Sequence, residues 1–311
     1  MKNFIPSDLP AMETMPCSKC GHPVMLPIIM RQFELRSIIA SGGMGTVYRA
    51  FDFTLEREVA IKLVKREMAA DAQVMENFTR EARAGASLNH TNIIHIYTFD
   101  ELDGQPYLVM ELADQGSLDN RIEREQRVPE LEVLDVGIKV ASALATALKH
   151  DLLHRDIKPA NILYNVEGEP KLVDFGLAGK TGIEAEADAF VWGTPEYVAP
   201  EKINRERETF LSDLYSLAAT LYHALTGHIP FQGTVEEMVA AHVNMPVTPP
   251  NVVVPEITQP TSDTLLLAMA KSPGARFKSY DDFIMALTSA RSQLLVQRFR
   301  GEDDKKGWWR L

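Results

Sequence analysis

The hydrophobic period of this chain changes near Gly116. Before it, segments 33–39, 46–50, 57–63, 93–99 and 106–111 are short, rich in β-branched and aromatic residues and separated by turn residues, which predicts strands. One helix is expected among them, over about 71–88. Beyond Gly116 the pattern is mostly helical. Segment 131–150 sets Leu134, Ile138, Ala141, Ala145 and Leu148 on one face at steps of three and four residues. The expectation is an α+β chain, with a small sheet lobe carrying one helix hinged to a larger helical lobe.

A length of 311 residues suits two lobes with short extensions. Residues 1–30, rich in Pro and Met with little periodicity, read as an N-terminal extension. Residues 31–113 and 114–290 read as the lobes, and 291–311 as a C-terminal tail. The net charge of −11 argues against nucleic acid as a partner, because counterion release needs clustered Lys and Arg. Segment 133–148, the most apolar long stretch, is broken by Asp135 and Lys139, so no membrane span is expected. Pro6, Asp8 and Pro10 interrupt any secretory h-region. With two cysteines and no disulfide framework, the expected compartment is the cytoplasm.

Chemistry concentrates in a few motifs. Ser41-Gly42-Gly43-Met44-Gly45-Thr46-Val47 lies between the first two strands, where glycines let the backbone approach a phosphate. Val59-Ala60-Ile61-Lys62 puts a lysine at the end of an apolar strand. On the following helix Val74, Phe78, Glu81, Gly85 and Leu88 share a face. An acid in an inward stripe needs a cation, and Lys62 is the candidate; a slight rotation of the helix would instead expose Glu81. His154-Arg155-Asp156-Ile157-Lys158-Pro159-Ala160-Asn161 and Asp174-Phe175-Gly176 offer oxygen ligands for hard divalent cations. Gly193-Thr194-Pro195-Glu196-Tyr197-Val198-Ala199-Pro200-Glu201 follows.

In this order the motifs resemble the eukaryotic-type serine/threonine protein kinases, bacterial branch, over about residues 31–290. The resemblance implies the two-lobed kinase fold, with a small antiparallel sheet lobe and a larger, mainly helical one. It implies transfer of the γ-phosphate of ATP to Ser and Thr hydroxyls of protein substrates, with Mg2+ as metal and Mn2+ as an alternative. Ala40, Ser41, Gly42, Gly43, Met44, Gly45, Val47 and Ala60 would then surround the nucleotide. Lys62 would hold the α- and β-phosphates and pair with Glu81. Met110 would be the gatekeeper, with the backbone of Glu111 and Ala113 hydrogen-bonding adenine. Asp156 would deprotonate the attacking hydroxyl, Lys158 would touch the γ-phosphate, and Asn161 and Asp174 would hold metal. Asp213 would brace the catalytic loop, and Glu201 would pair with Arg276. Ala40 replaces the first glycine of the family's phosphate loop, which predicts altered loop geometry or ATP affinity, because alanine takes positive φ at a cost.

Gly179-Lys180-Thr181 matches the end of a P-loop, but the required first glycine falls on Asp174. A catalytically dead scaffold would have lost Lys62, Asp156 or Asp174, and all are present. Cys17, Cys20 and His22 resemble one zinc knuckle, short of the four ligands of a closed site; a turn without metal is the other reading. Trp308 and Trp309, among basic residues, suit a membrane interface, a docking contact or packing on the domain. For regulation, Arg155 calls for an anion. Thr181 is the only hydroxyl residue in the loop before Gly193, and its phosphate would serve, as would the carboxylates of Glu184, Glu186 and Asp188.

Overall fold

A computed structural model of the chain describes residues 14–17, 19–21, 23–43, 45–175, 178–180 and 194–306. The chain forms two compact units, Met1–Asn89 with Ile94–Asp114, and His90–Ile93 with Gln115–Leu311.

In the first unit β1 (Thr14–Pro16) and β2 (Pro23–Met25) make an antiparallel hairpin. A six-stranded antiparallel sheet follows, in the order β3 (Ile28–Met30), β4 (Phe33–Ser41), β5 (Gly45–Asp52), β6 (Arg57–Val64), β8 (Gln105–Met110), β7 (Ile96–Leu102). Helix α1 (Ala72–Ser87) starts on Asp71, whose carboxylate accepts the backbone N–H groups of Gln73 and Val74. The two-residue period of β6 sends Val59, Ile61 and Leu63 into a cluster with Phe33, Leu35, Tyr48, Tyr107 and Val109. It sends Val64 to the opposite face, where it meets Phe78 and Ala82 of α1.

The edge strand β3 lies in the stretch that reads from sequence as an extension. Ile28 pairs with Leu35 and Met30 with Phe33, while Met25 and Met30 bury themselves on the sheet. Three residues are too few for an alternation to register. The strand expected at 93–99 begins instead at Ile96, because Asn92 and Ile93 are engaged elsewhere. The Asn92 side chain donates to the Pro170 carbonyl, its own carbonyl accepts the Leu172 N–H, and Ile93 bridges Leu172.

The second unit is mainly helical. Helices α2 (Leu118–Glu125) and α3 (Glu130–Lys149) precede three strand fragments: β9 (Leu152–Leu153), β10 (Ile162–Tyr164) and β11 (Pro170–Leu172). β12 (Gly179–Lys180) pairs with β9, and β10 with β11. Then come α4 (Pro200–Ile203), α5 (Phe210–Thr226), α6 (Val235–Asn244), α7 (Pro250–Val253), α8 (Gln259–Ala268) and α9 (Tyr280–Lys306). Helix α5 is apolar on nearly every side and is buried along its length, as its composition demands. It ends at Gly227 with φ of 74°, where a Cβ would strike the Gln126 carbonyl oxygen. Among the described residues no helix is long and apolar enough to cross a membrane.

Candidate active site

In the first unit, β6 pairs Lys62 with Val47 of β5 on one side and Leu108 of β8 on the other. From this rigid position Lys62 Nζ reaches Glu81 Oε2 at 2.6 Å. The pair is sheltered, with side chains 21% and 11% exposed, so neither charge is fully solvated. The inward orientation of Glu81 is therefore the one the fold adopts. Gly45, which opens β5, lies so close to β6 that a Cβ would collide with the Leu63 carbonyl oxygen. Gly42 N–H donates to the Gly45 carbonyl (2.9 Å), drawing the loop back on itself. Gly43 is exposed, and nothing surrounds the place of its Cβ.

Ala40 departs from expectation. It is a strand residue paired with Val47 and is absent from the left-handed non-glycine positions, so the alanine brings no positive-φ strain. Met110 ends β8 opposite Ala60. The N–H of Glu111 donates to the His95 carbonyl at 2.8 Å, so an adenine donor would meet Glu111 through its carbonyl. Ala113 is buried.

In the second unit the loop after β9 is held from below by Asp213, the fourth residue of α5. Its two carboxylate oxygens accept the N–H groups of His154 (2.7 Å) and Arg155 (2.8 Å). Burial pushes the Asp213 carboxyl above its usual range, and these donors together with His154 oppose the shift. His154, fully buried, donates from Nε2 to the Val173 carbonyl (2.9 Å) and accepts the Asp156 N–H at Nδ1 (3.3 Å). Its ring packs edge-on against Phe175, with centroids 4.7 Å apart. Arg155 and Asp174 both take left-handed backbone, φ 67° and 65°, an uncommon state for side chains of this kind.

Asp156 is the convergence point. Lys158 Nζ lies 2.7 Å from Oδ2, Asn161 Nδ2 donates to the same oxygen at 3.1 Å, and Thr194 Oγ1 approaches Oδ1 at 3.5 Å. Asn161 also donates to the Asp156 backbone carbonyl (2.8 Å), which commits its amide nitrogen and turns its amide oxygen elsewhere. An amide oxygen and the Asp174 carboxylate are hard donors. Mg2+ asks for one or two carboxylates and takes its other ligands from water and phosphates, so the set fits. Away from the chemistry, Arg276 forks onto Glu201 at 2.7 and 2.8 Å with both side chains buried.

A family model of the protein kinase domain matches residues 33–283. The chain belongs to the protein kinase family. It is 36% identical over 259 residues to a probable serine/threonine-protein kinase of Streptomyces coelicolor, an alignment covering 81% of this chain and 38% of that one. It is 33% identical over 278 residues to the serine/threonine-protein kinase PknA of Corynebacterium glutamicum, covering 87% and 59%. Against the serine/threonine-protein kinase PrkC of Bacillus subtilis the figures are 33% over 284 residues, 89% and 44%. The chain spans between about two fifths and three fifths of the length of these relatives. ATP and Mg2+ are the family's general cosubstrate and metal.

Several residues singled out in the sequence lie outside the described residues: His22, Met44, Gly176, Thr181, Glu184, Glu186, Asp188, Gly193, Trp308 and Trp309. Cys17 is buried and Cys20 exposed, at the turn of the β1–β2 hairpin. Among the described residues no group of three His, Cys, Asp or Glu side chains could hold a metal ion. Two residues of the catalytic-loop surroundings escaped the sequence reading. Lys202 Nζ donates to the Arg155 carbonyl (3.0 Å), and Glu208 lies beside both Arg155 and Lys202. Both sit in or next to the charged run Asn204-Arg205-Glu206-Arg207-Glu208, whose composition reads as solvated surface.

Proposed function

We propose that this chain is a Mg2+-dependent protein kinase that phosphorylates Ser and Thr side chains of other proteins and of itself. The observation that carries the reading is the cluster on Asp156, where a cation, an amide and the Thr194 hydroxyl fix one carboxylate. Asp156 would orient the substrate hydroxyl and take its proton as Oγ attacks the γ-phosphorus. The bond from phosphorus to the bridging oxygen then breaks and ADP leaves. Lys158 would neutralise charge on the γ-phosphate, and Lys62, held by Glu81, would do so on the α- and β-phosphates. Mg2+, held by Asn161 and Asp174, would supply charge neutralisation between the β- and γ-phosphates. The loop of Ala40–Val47, with Ala60, Met110, Glu111 and Ala113, would seat the nucleotide. ATP supply and a chain with only two cysteines support a cytoplasmic site of action. Zinc at Cys17, Cys20 and His22 would require a fourth ligand.

Phosphoamino-acid analysis after incubation with labelled ATP and a generic basic protein tests the class. Label on serine and threonine is expected. Label confined to tyrosine, or none, would contradict it.

A further inference from the structure

Arg155 immediately precedes Asp156, and the structure surrounds it with charge from its own unit. Asp213 takes its backbone N–H and Lys202 donates to its backbone carbonyl, so the left-handed peptide is gripped on both sides. The Arg155 side chain is 16% exposed, and its buried Nε has no hydrogen-bond partner among the described residues. Opposite it lies the Glu208 carboxylate, 11% exposed, with Oε1 3.7 Å from Arg155 Nε and Oε2 3.8 Å from Lys202 Nζ. Burial raises the Glu208 carboxyl, while Lys202 and then Arg155 pull it back; Asp213 and Glu201 add repulsion. A buried carboxylate persists only where cations face it, and here two do.

Local charge decides what this cluster accepts. Arg155 and Lys202 contribute two positive charges, and Glu208 and Asp213 two negative ones, so the cluster is neutral as it stands. A phosphate brought to Arg155 would add about two negative charges beside two carboxylates already in place, an arrangement disfavoured by like-charge repulsion. Lys202, on α4, already holds the peptide that leads into Asp156.

We infer that Glu208 is the built-in counter-anion of Arg155 and, with Lys202, a positioning residue that holds the Asp156 loop in place without a phosphate on the segment before Gly193. This rests on the kinase reading above. It gives a role to an acid outside every motif and makes phosphorylation of Thr181 dispensable for turnover.

The test uses the full chain, freed of phosphate by a phosphatase and checked by mass spectrometry, with initial rates on a generic basic protein. Phosphate-free wild type and Thr181→Ala should keep at least about half the rate of the autophosphorylated enzyme. Glu208→Gln should lower kcat by about 10- to 100-fold, the scale of a misplaced catalytic group, with KM for ATP within about twofold. Glu208→Asp should recover part of the loss, because it keeps the charge. A rate that collapses on phosphate removal or in Thr181→Ala would overturn the inference, and this arm does not depend on the folding of any Glu208 variant. So would a Glu208→Gln enzyme of normal kcat, or one whose whole loss is in KM for ATP. Absence of transfer by wild type in every state would instead overturn the kinase reading, and the inference with it.

Discussion

Lys62 Nζ and Glu81 Oε2 stand 2.6 Å apart, bridging the fourth strand of the six-stranded sheet and helix α1. The strand fixes the lysine's backbone on both sides, so only its long side chain needs steering, and the buried Glu81 carboxylate does that. Lys62→Ala should cut kcat/KM for protein phosphorylation by at least ~10²-fold, as loss of a charge stabiliser does. Glu81→Gln keeps shape and removes charge; its loss should be smaller and fall mainly on kcat. Steady-state kinetics with circular dichroism as the folding control checks both. Near-normal turnover in Lys62→Ala would reject the role.

Glu201 and Arg276 form a buried fork, with Ser212 Oγ donating to Glu201 Oε1 at 2.7 Å and Arg276 also donating to the carbonyls of Ala270, Leu211 and Lys271. Arg276→Met strands a carboxylate in the interior and should cost about 3–5 kcal/mol of stability. The double variant with Glu201→Gln should lose less than the two single losses added, since no charge is left unpaired. Urea unfolding measures it. A single-variant loss under ~1 kcal/mol would contradict the account.

His242 is fully buried, accepting from the Tyr215 hydroxyl at Nδ1 (2.8 Å) and donating from Nε2 to the Glu196 carbonyl (3.1 Å). Burial, reinforced by Lys271, lowers its pKa from 6.5 to about 4. The unfolded chain therefore binds a proton that the folded chain refuses. Stability should fall as pH drops from about 6.5 to about 4, by up to roughly 3 kcal/mol from this group, and level below that. His242→Gln should have a flatter profile over that window in denaturant titrations. Parallel profiles would remove His242 as the cause.

Lys62 was legible as a cation at the end of an apolar strand, and three- and four-residue steps put Glu81 in an apolar helix stripe where an acid needs a cation. Asp213 was legible because an acid in a helix apolar on most sides demands donors, and His154 and Arg155 supply them. Glu208 was not. In a run of charged residues an acid looks solvated, and only the path of the chain from Ile203 to Phe210 brings it onto Arg155. Ala40 misled for a different reason. A glycine in a motif suggests positive φ, yet here the position is strand, and a side chain costs the backbone nothing.

In the proposed mechanism phosphoryl transfer runs through Asp156. Its carboxylate is the one that Lys158, Asn161 and Thr194 converge on. Asp156→Asn is nearly isosteric and leaves the Asp213 anchor untouched, so it should fold and bind ATP as wild type does. Transfer of labelled γ-phosphate to a generic basic protein, measured beside ATP binding, is the direct measurement. The account predicts unchanged ATP affinity and a rate lower by at least ~10²-fold, the scale of a lost general base. A variant that binds ATP and still phosphorylates protein at close to the wild-type rate would contradict it.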